Sequence, residues 1–151
     1  MTAQARYMHT NLVARDWRKL ARFYIETFGC TPLLPERDLE GAWLAKATGV
    51  PDARIRGIHL LLPGHGENGP TLEIFEYHNV KERPAVAANR PGFGHLAFEI
   101  PDVEALRKLV IAAGGGALGA TTRREIPGVG TITFAYLTDP EGNIIEVQNR
   151  S

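Results

Sequence analysis

The chain repeats one spacing of residues in its two halves, counted in each half from a histidine. An aspartate follows seven positions later, a leucine eleven and a glycine twenty. These positions are His9, Asp16, Leu20 and Gly29 in the first half and His95, Asp102, Leu106 and Gly115 in the second. Because an internal repeat constrains the whole architecture, we expect two copies of one structural unit.

Each copy predicts the same beginning, a strand followed by an amphipathic helix. In the first copy, residues 7–14 form the strand and Asp16 is a suitable residue to cap the helix. Apolar residues then recur at helical spacing until Gly29 ends the helix: Trp17, Leu20, Ala21, Tyr24 and Phe28. In the second copy, residues 94–100 form the strand and residues 103–113 the helix.

Further strands complete each copy. In the first copy we expect strands at 58–62 and 71–77, joined as an antiparallel hairpin by a glycine-rich loop. In the second copy we expect strands around 117–123, 130–138 and 144–148. Both copies end in a strand that carries a glutamate between aliphatic residues.

The segment 31–57 predicts less regular structure. Pro32 and Pro35 flank a brief extended piece, and the stretch from Leu39 to Thr48 predicts a helical turn or two that ends at Gly49.

These elements predict an α+β fold of two tandem βαβββ modules within one domain over residues 1–151. Module one spans about 7–77 and module two about 93–149, with a linker of about 78–92 that could carry a short helix. Such a length and an apolar content of 44% suit a domain with a sizeable core.

The charge balance excludes two classes of partner. The chain has 17 Lys and Arg residues against 17 Asp and Glu residues, a formal net charge of zero. Binding to nucleic acid or to an anionic membrane surface needs an excess of clustered positive charge, so we expect neither.

No apolar run approaches the roughly 20 residues of a membrane span, and the start of the chain lacks the apolar core of a signal peptide. The single cysteine, Cys30, suits a reducing compartment, and we expect a cytoplasmic protein.

Two histidines and two glutamates occupy equivalent positions in the copies. His9 and His95 begin the repeat, whereas Glu73 and Glu146 lie in its last strand. An ionised carboxylate in an apolar strand is costly unless it is paired or bound to a metal. Two imidazoles and two carboxylates suit Zn, Ni, Co, Mn or Fe(II), but each residue alone could equally have a structural role. For the remaining histidines, His59, His65 and His78, we expect structural roles only.

Four segments resemble the vicinal oxygen chelate superfamily, which includes glyoxalase I, methylmalonyl-CoA epimerase, extradiol dioxygenases, fosfomycin-resistance enzymes and bleomycin-binding proteins. The segments are HTNLVARDWRKLARFYIETFGC, TLEIFEY, GFGHLAFEIPDVEALRKLVIAAGG and LTDPEGNIIEVQ. The resemblance implies that the sheets of the paired modules curl into a cleft around one divalent metal, with the helices outside. It also implies a homodimer, because modules of this superfamily commonly complete each other's clefts across a twofold axis.

Carried over position by position, the resemblance implies that His9, Glu73, His95 and Glu146 hold the metal. This set is similar to that of bacterial glyoxalase I, with Ni, Co, Zn or Mn as the metal. The implied reaction moves a proton α to a carbonyl through a metal-bound enediolate. Glu146, with Glu73 on the opposite side, is the expected base.

The expected small-molecule substrate differs from the usual glutathione adduct. Glyoxalase I holds glutathione with an Arg four residues after the first metal ligand and an Asn four residues after the second. Here these positions are Val13 and Tyr77. We therefore consider other residues for substrate binding, and the candidates are Trp43, Tyr77, Arg123 and Arg124.

Three alternatives remain open. The first is an epimerase of a CoA thioester, which uses similar chemistry in a different pocket. The second is an extradiol dioxygenase with Fe(II), which would use only one carboxylate ligand. The third is a protein that binds a small hydrophobic or antibiotic molecule without turnover.

Overall fold

The computed structural model describes residues 3–151, so the first two residues of the predicted domain lie outside the described residues. The chain forms two compact units, of which one ends at Glu82 and the other begins at Arg83.

The first unit contains a mixed four-stranded sheet and two helices. In chain order its elements are β1 (His9–Val13), α1 (Trp17–Phe28), β2 (Thr31–Glu40), α2 (Ala42–Thr48), β3 (Arg54–Leu61) and β4 (Thr71–Tyr77). The strands lie in the order β1-β4-β3-β2. β1 is parallel to β4, and the other neighbouring strands are antiparallel.

The second unit contains a five-stranded sheet and one helix. Its elements are β5 (Leu96–Glu99), α3 (Val103–Ala112), β6 (Gly116–Ala117), β7 (Thr122–Ile126), β8 (Gly130–Thr138) and β9 (Ile144–Arg150). The strands lie in the order β5-β9-β8-β6, and β7 also pairs with β8. β5 is parallel to β9, as β1 is to β4. The predicted α+β class of two similar units is confirmed. The first unit adds the helix α2 to the predicted βαβββ order, and in the second unit the strand expected around 117–123 is two strands, β6 and β7.

The repeated aspartates begin the two helices in the same way. Asp16 accepts a hydrogen bond of 3.0 Å from the backbone N–H of Lys19, and Asp102 accepts one of 2.9 Å from that of Ala105. Each aspartate has extended backbone angles and satisfies a donor that the first helical turn leaves unpaired. At the other end of α1, Gly29 takes the left-handed conformation, with φ of 71°.

The segment 31–57 is more regular than predicted. The brief extended piece is the ten-residue strand β2, and the helix begins at Ala42 instead of Leu39. Prolines normally argue against a strand, but β2 lies at the edge of its sheet, where a missing N–H costs no pairing. Within the described chain, residues 78–92 form no helix. The prediction of a short helix in the linker was therefore wrong.

The core of each unit lies between its long helix and one face of its sheet. In the first unit, α1 packs on β3 and β4, and in the second, α3 packs on β8 and β9. Fully buried side chains fill both interfaces: Leu20, Tyr24, Leu60, Leu72, Ile74, Val110, Leu137, Ile145 and Val147. Because alternate side chains of a strand point to opposite faces, Glu73 and Glu146 lie on the sheet face that the helix does not cover.

Candidate functional site

In the first unit, the structure brings His9 and Glu73 together. Nε2 of His9 lies 3.0 Å from Oε1 of Glu73, and we call these residues the first pair. Glu73 lies between Leu72 and Ile74, both fully buried, and only 12% of its own side chain is exposed. The pair forms because β1 is parallel to β4 with Asn11, two residues after His9, opposite Glu73.

His59 is a third member of this cluster, although the sequence predicted only a structural role for it. It lies on β3 directly opposite Glu73, with Nε2 at 2.9 Å from Oε2. The two imidazoles therefore face different oxygens of one carboxylate. The register of the predicted hairpin was the available signal, since pairing Leu61 with Thr71 across the loop also pairs His59 with Glu73.

In the second unit, Nε2 of His95 lies 2.9 Å from Oε2 of Glu146, and we call these residues the second pair. The register repeats that of the first unit, because Ala97, two residues after His95, lies opposite Glu146. The exposed fractions of the side chains are 36% for His95 and 17% for Glu146. The two pairs are thus built in the same way. Each joins a histidine at or directly before the start of the first strand of its unit to a glutamate on the last strand in chain order.

A tight turn sets where that last strand begins in the second unit. Oδ1 of the buried Asp139 accepts hydrogen bonds of 2.9 Å from the backbone N–H groups of Glu141 and Asn143. Arg83 donates to the side-chain oxygen of Asn143 at 3.0 Å and to the carbonyl of Glu141 at 2.6 Å. The turn fixes the start of β9 at Ile144 and with it the position of Glu146.

The two carboxylates have different neighbours on their other side. Tyr136 of β8 lies opposite Glu146, at the register position that His59 of β3 holds opposite Glu73. The Tyr136 ring packs edge-on against His95, with 5.2 Å between the ring centroids. Burial and the negative charge of Glu146 both raise the pKa of Tyr136, so its hydroxyl stays protonated at neutral pH.

Burial lowers the pKa of the His59 imidazole from its usual 6.5. The charge of Glu73 raises this pKa, whereas the charges of Arg37 and His9 lower it.

The donor chemistry of the pairs fits a divalent metal. Each pair offers a histidine Nε2 and a carboxylate oxygen, the donors that Zn, Ni, Co and Mn accept. These two atoms are in direct contact within each pair, 3.0 Å apart in the first pair and 2.9 Å apart in the second. Among residues 3–151, however, no three His, Cys, Asp or Glu side chains form a group that could hold a metal ion. One pair alone is thus too few ligands.

The candidate substrate-binding residues lie on α2, at the end of β4 and on β7. Trp43 is exposed on α2, and Tyr77 ends β4 and packs against a small core cluster of Leu44, Ala53 and Ile55. Arg123 and Arg124 are exposed on β7, three strands away from His95 in the order of pairing. Val13, which replaces an expected arginine, is 47% exposed at the end of β1.

The fold and the two matching pairs define a protein of the vicinal oxygen chelate class. A model of the Glyoxalase/Bleomycin resistance protein/Dioxygenase superfamily matches residues 6–147. The chain belongs to this superfamily.

Individual relatives agree with this assignment. A protein of Vibrio parahaemolyticus named as a probable lactoylglutathione lyase is 27% identical over 150 residues, which cover 98% of this chain and 94% of that protein. The structure of a glyoxalase family protein from Bacillus cereus matches with a TM-score of 0.83 at 15% identity, over 99% of this chain and 96% of that one. A glyoxalase I mutant from Zea mays matches with a TM-score of 0.66 at 24% identity, over 97% of this chain and 45% of that one. Both structural matches show the fold.

None of the helices in residues 3–151 has the length and apolar character needed to cross a membrane.

Proposed function

We propose that the protein is a metal-dependent isomerase or lyase of the glyoxalase type, which moves a proton α to a carbonyl group. The observation that carries this proposal is the repeated pair of histidine and glutamate, at the same register in both sheets. Packing of the core alone does not require a largely buried carboxylate beside an imidazole at two equivalent positions. The Vibrio relative, named as a probable lactoylglutathione lyase, supports the same chemistry.

The ligands proposed are His9, Glu73, His95 and Glu146. One pair supplies only two donors, so all four residues are needed as ligands. When bound, the metal supplies a Lewis acid that stabilises negative charge on the substrate oxygens. The metal is Ni, Co, Zn or Mn, all of which accept this donor set.

Glu146 is the proposed base. Its carboxylate takes the proton from the carbon α to the carbonyl, and the electron pair of the broken C–H bond shifts to form a C=C bond while the carbonyl oxygen becomes negative. In an isomerase, the same carboxyl group then gives the proton to the former carbonyl carbon, while the hydroxyl proton of the first carbon moves to the other oxygen and the first carbon becomes the new carbonyl. In an epimerase, the proton returns to the same carbon but from the opposite face, so a second group on that face must supply it. A carboxylate positioned in this way contributes typically 10²–10⁴-fold to the rate.

The substrate proposed is a carbonyl compound other than the usual glutathione adduct. Val13 carries no charge for a glutathione carboxylate, and Tyr77 is packed against the cluster around Leu44. Arg123 and Arg124 are exposed guanidinium groups that suit an anionic part of a substrate, and Trp43 offers an exposed aromatic surface.

Metal binding is the first test. The metal-free protein is titrated with Ni, Co, Zn and Mn by calorimetry, and the bound metal is counted by elemental analysis. We expect one metal per site in the wild type and a loss of affinity of at least 100-fold in His9→Ala and in His95→Ala. His65→Ala, which changes an exposed loop histidine, is the matched control and should bind as the wild type does. The proposal fails if the wild type binds none of the four metals stoichiometrically.

Turnover is the second test. The metal-loaded protein is offered methylglyoxal with a panel of thiols, and separately methylmalonyl-CoA in deuterated water. We expect product from at least one hemithioacetal other than that of glutathione, and Glu146→Gln should lower its rate at least 100-fold with metal still bound. Deuterium incorporation into methylmalonyl-CoA would instead identify the epimerase.

Two further properties belong to this proposal. We expect a homodimer, measured by light scattering after size-exclusion chromatography, because metal sites completed by two chains require it. We also expect a cytoplasmic location, since the one cysteine, Cys30, is a buried free thiol.

A further inference from the structure

We propose that His59 is a positioning residue that holds Glu73 as a fixed metal ligand, whereas Glu146, whose equivalent neighbour is Tyr136, keeps the freedom that a base needs. This inference rests on the proposed function and deepens it, because it assigns different tasks to two carboxylates that the repeat makes formally equivalent.

The first step is the geometry around Glu73. Its Oε1 lies 3.0 Å from Nε2 of His9, and its Oε2 lies 2.9 Å from Nε2 of His59. Each oxygen of the carboxylate thus has its own imidazole. Rotation of the carboxylate would break both contacts at once, so the group is held in one orientation.

The second step is that His59 is itself held in place. It lies directly opposite Glu73 in the antiparallel pair of β3 and β4, where facing side chains are closest. Phe75 packs edge-on against its ring at 5.7 Å between centroids, and the ring of His9 lies at 6.2 Å on another side. Only 23% of the side chain is exposed. His59 is therefore a rigid support and not a mobile surface residue.

The third step concerns which oxygen of Glu73 each imidazole contacts. His9 contacts Oε1, whereas His59 contacts Oε2, so the His59 contact leaves the oxygen beside His9 in place. A hydrogen-bonding partner of a ligating carboxylate orients it, and loss of such a partner typically costs 10–100-fold in metal affinity.

The fourth step is the contrast with the second unit. At the register position of His59, that unit has Tyr136, whose ring packs on His95. One oxygen of Glu146, Oε2, contacts His95 at 2.9 Å. Glu146 is also somewhat more exposed than Glu73, with 17% against 12% of the side chain. A carboxylate that must approach and leave a substrate proton fits this less constrained position better.

Metal affinity tests the inference without reliance on turnover. Co(II) is titrated into the metal-free wild type, His59→Phe, His59→Gln and His65→Phe, with calorimetry for the dissociation constant and visible absorption for the coordination of the ion. We expect His59→Phe to bind about 10–100-fold more weakly, with an altered Co(II) spectrum. Glutamine places an N–H at a similar reach, so His59→Gln should bind within about threefold of the wild type. His65→Phe changes an exposed loop histidine and should match the wild type.

Two results would overturn the inference while the proposed function stands. One is a His59→Phe protein that binds Co(II) as tightly as the wild type. The other is a His59→Gln protein that is as weak as His59→Phe, since the polar contact would then not be the cause. A wild type that binds no metal would instead remove the proposed function. Circular dichroism checks the fold of each variant, and His59→Leu is tested by the same criteria in place of His59→Phe if the latter is unfolded.

Discussion

Glu73 and Glu146 occupy the same register position in their sheets, each opposite the residue two places after a histidine on the neighbouring parallel strand. The equivalence extends outward from these residues, because the aspartate seven positions after each histidine begins the following helix with the same side-chain contact. The two units differ on the adjacent antiparallel strand, where His59 lies opposite Glu73 and Tyr136 lies opposite Glu146. The repeat thus explains why there are two pairs, and its departures indicate how their tasks differ.

The two helix caps should contribute equally to stability. Asp16→Ala and Asp102→Ala each remove an acceptor from the first turn of a helix, which typically costs about 1 kcal/mol of the free energy of unfolding. Urea unfolding followed by circular dichroism measures both losses. Asp16→Asn and Asp102→Asn keep a side-chain oxygen and should recover most of the loss. A cap whose removal costs nothing would contradict the contact described for it.

Two glycines should tolerate no side chain. A Cβ on Gly57 would overlap the carbonyl oxygen of Ile74, and one on Gly115 would overlap that of Thr138. The overlapping atoms are backbone carbonyl oxygens of sheet residues, so moving them away from the new Cβ would distort the sheet. We expect Gly57→Ala and Gly115→Ala each to lower the free energy of unfolding by at least about 2 kcal/mol.

Gly119→Ala is the control for both, because a Cβ there meets nothing within 4 Å. It should change the free energy of unfolding by less than about 0.5 kcal/mol. Equal losses in all three variants would show that alanine acts through the unfolded chain and not through the overlap.

The thiol of Cys30 should be unreactive in the folded protein. Only 3% of this residue is exposed, and burial raises the pKa of the thiol to about 11 from the usual 9.0. At pH 8 the thiolate fraction is then about 100-fold lower than in the unfolded chain, so iodoacetamide should label the native protein at least that much more slowly than the protein in urea. Fast labelling of the native protein would mean that the region after α1 opens readily.

The same pKa shift has a consequence for stability. Between pH 9 and 11 the thiol ionises in the unfolded chain but stays protonated in the folded one, so the free energy of unfolding should fall as pH rises through this range. Cys30→Ala removes the titrating group, and its stability should fall less over the same range. Identical pH profiles of the two proteins would contradict the shift.

Local signals made the two long helices predictable. A capping aspartate, an apolar stripe and a glycine lie within one short segment of each half, and nothing distant is needed to interpret them. The sequence did not predict the full strand β2, because its prolines are allowed only by features set by the rest of the sheet. β2 is an edge strand, and Pro35 lies within a register shift between Leu33 and Arg37. The contact of His59 was not predicted for a similar reason. A single strand histidine has no periodic signal, and its contact with Glu73 appears only when the hairpin register is known.

The residue opposite the proposed base offers the most direct test of the division of tasks. Tyr136→His gives Glu146 the kind of neighbour that Glu73 has in the first unit. If an imidazole at this position fixes a carboxylate, the variant should bind metal at least as tightly as the wild type but turn over substrate at least about tenfold more slowly. Both are measured on the metal-loaded protein, as the Co(II) dissociation constant and as kcat for the substrate that the thiol panel identifies. Tyr136→Phe separates the lost hydroxyl from the added imidazole and should lose less of the rate. A Tyr136→His protein with the kcat of Tyr136→Phe would mean that the mobility of Glu146 does not depend on its neighbour on β8.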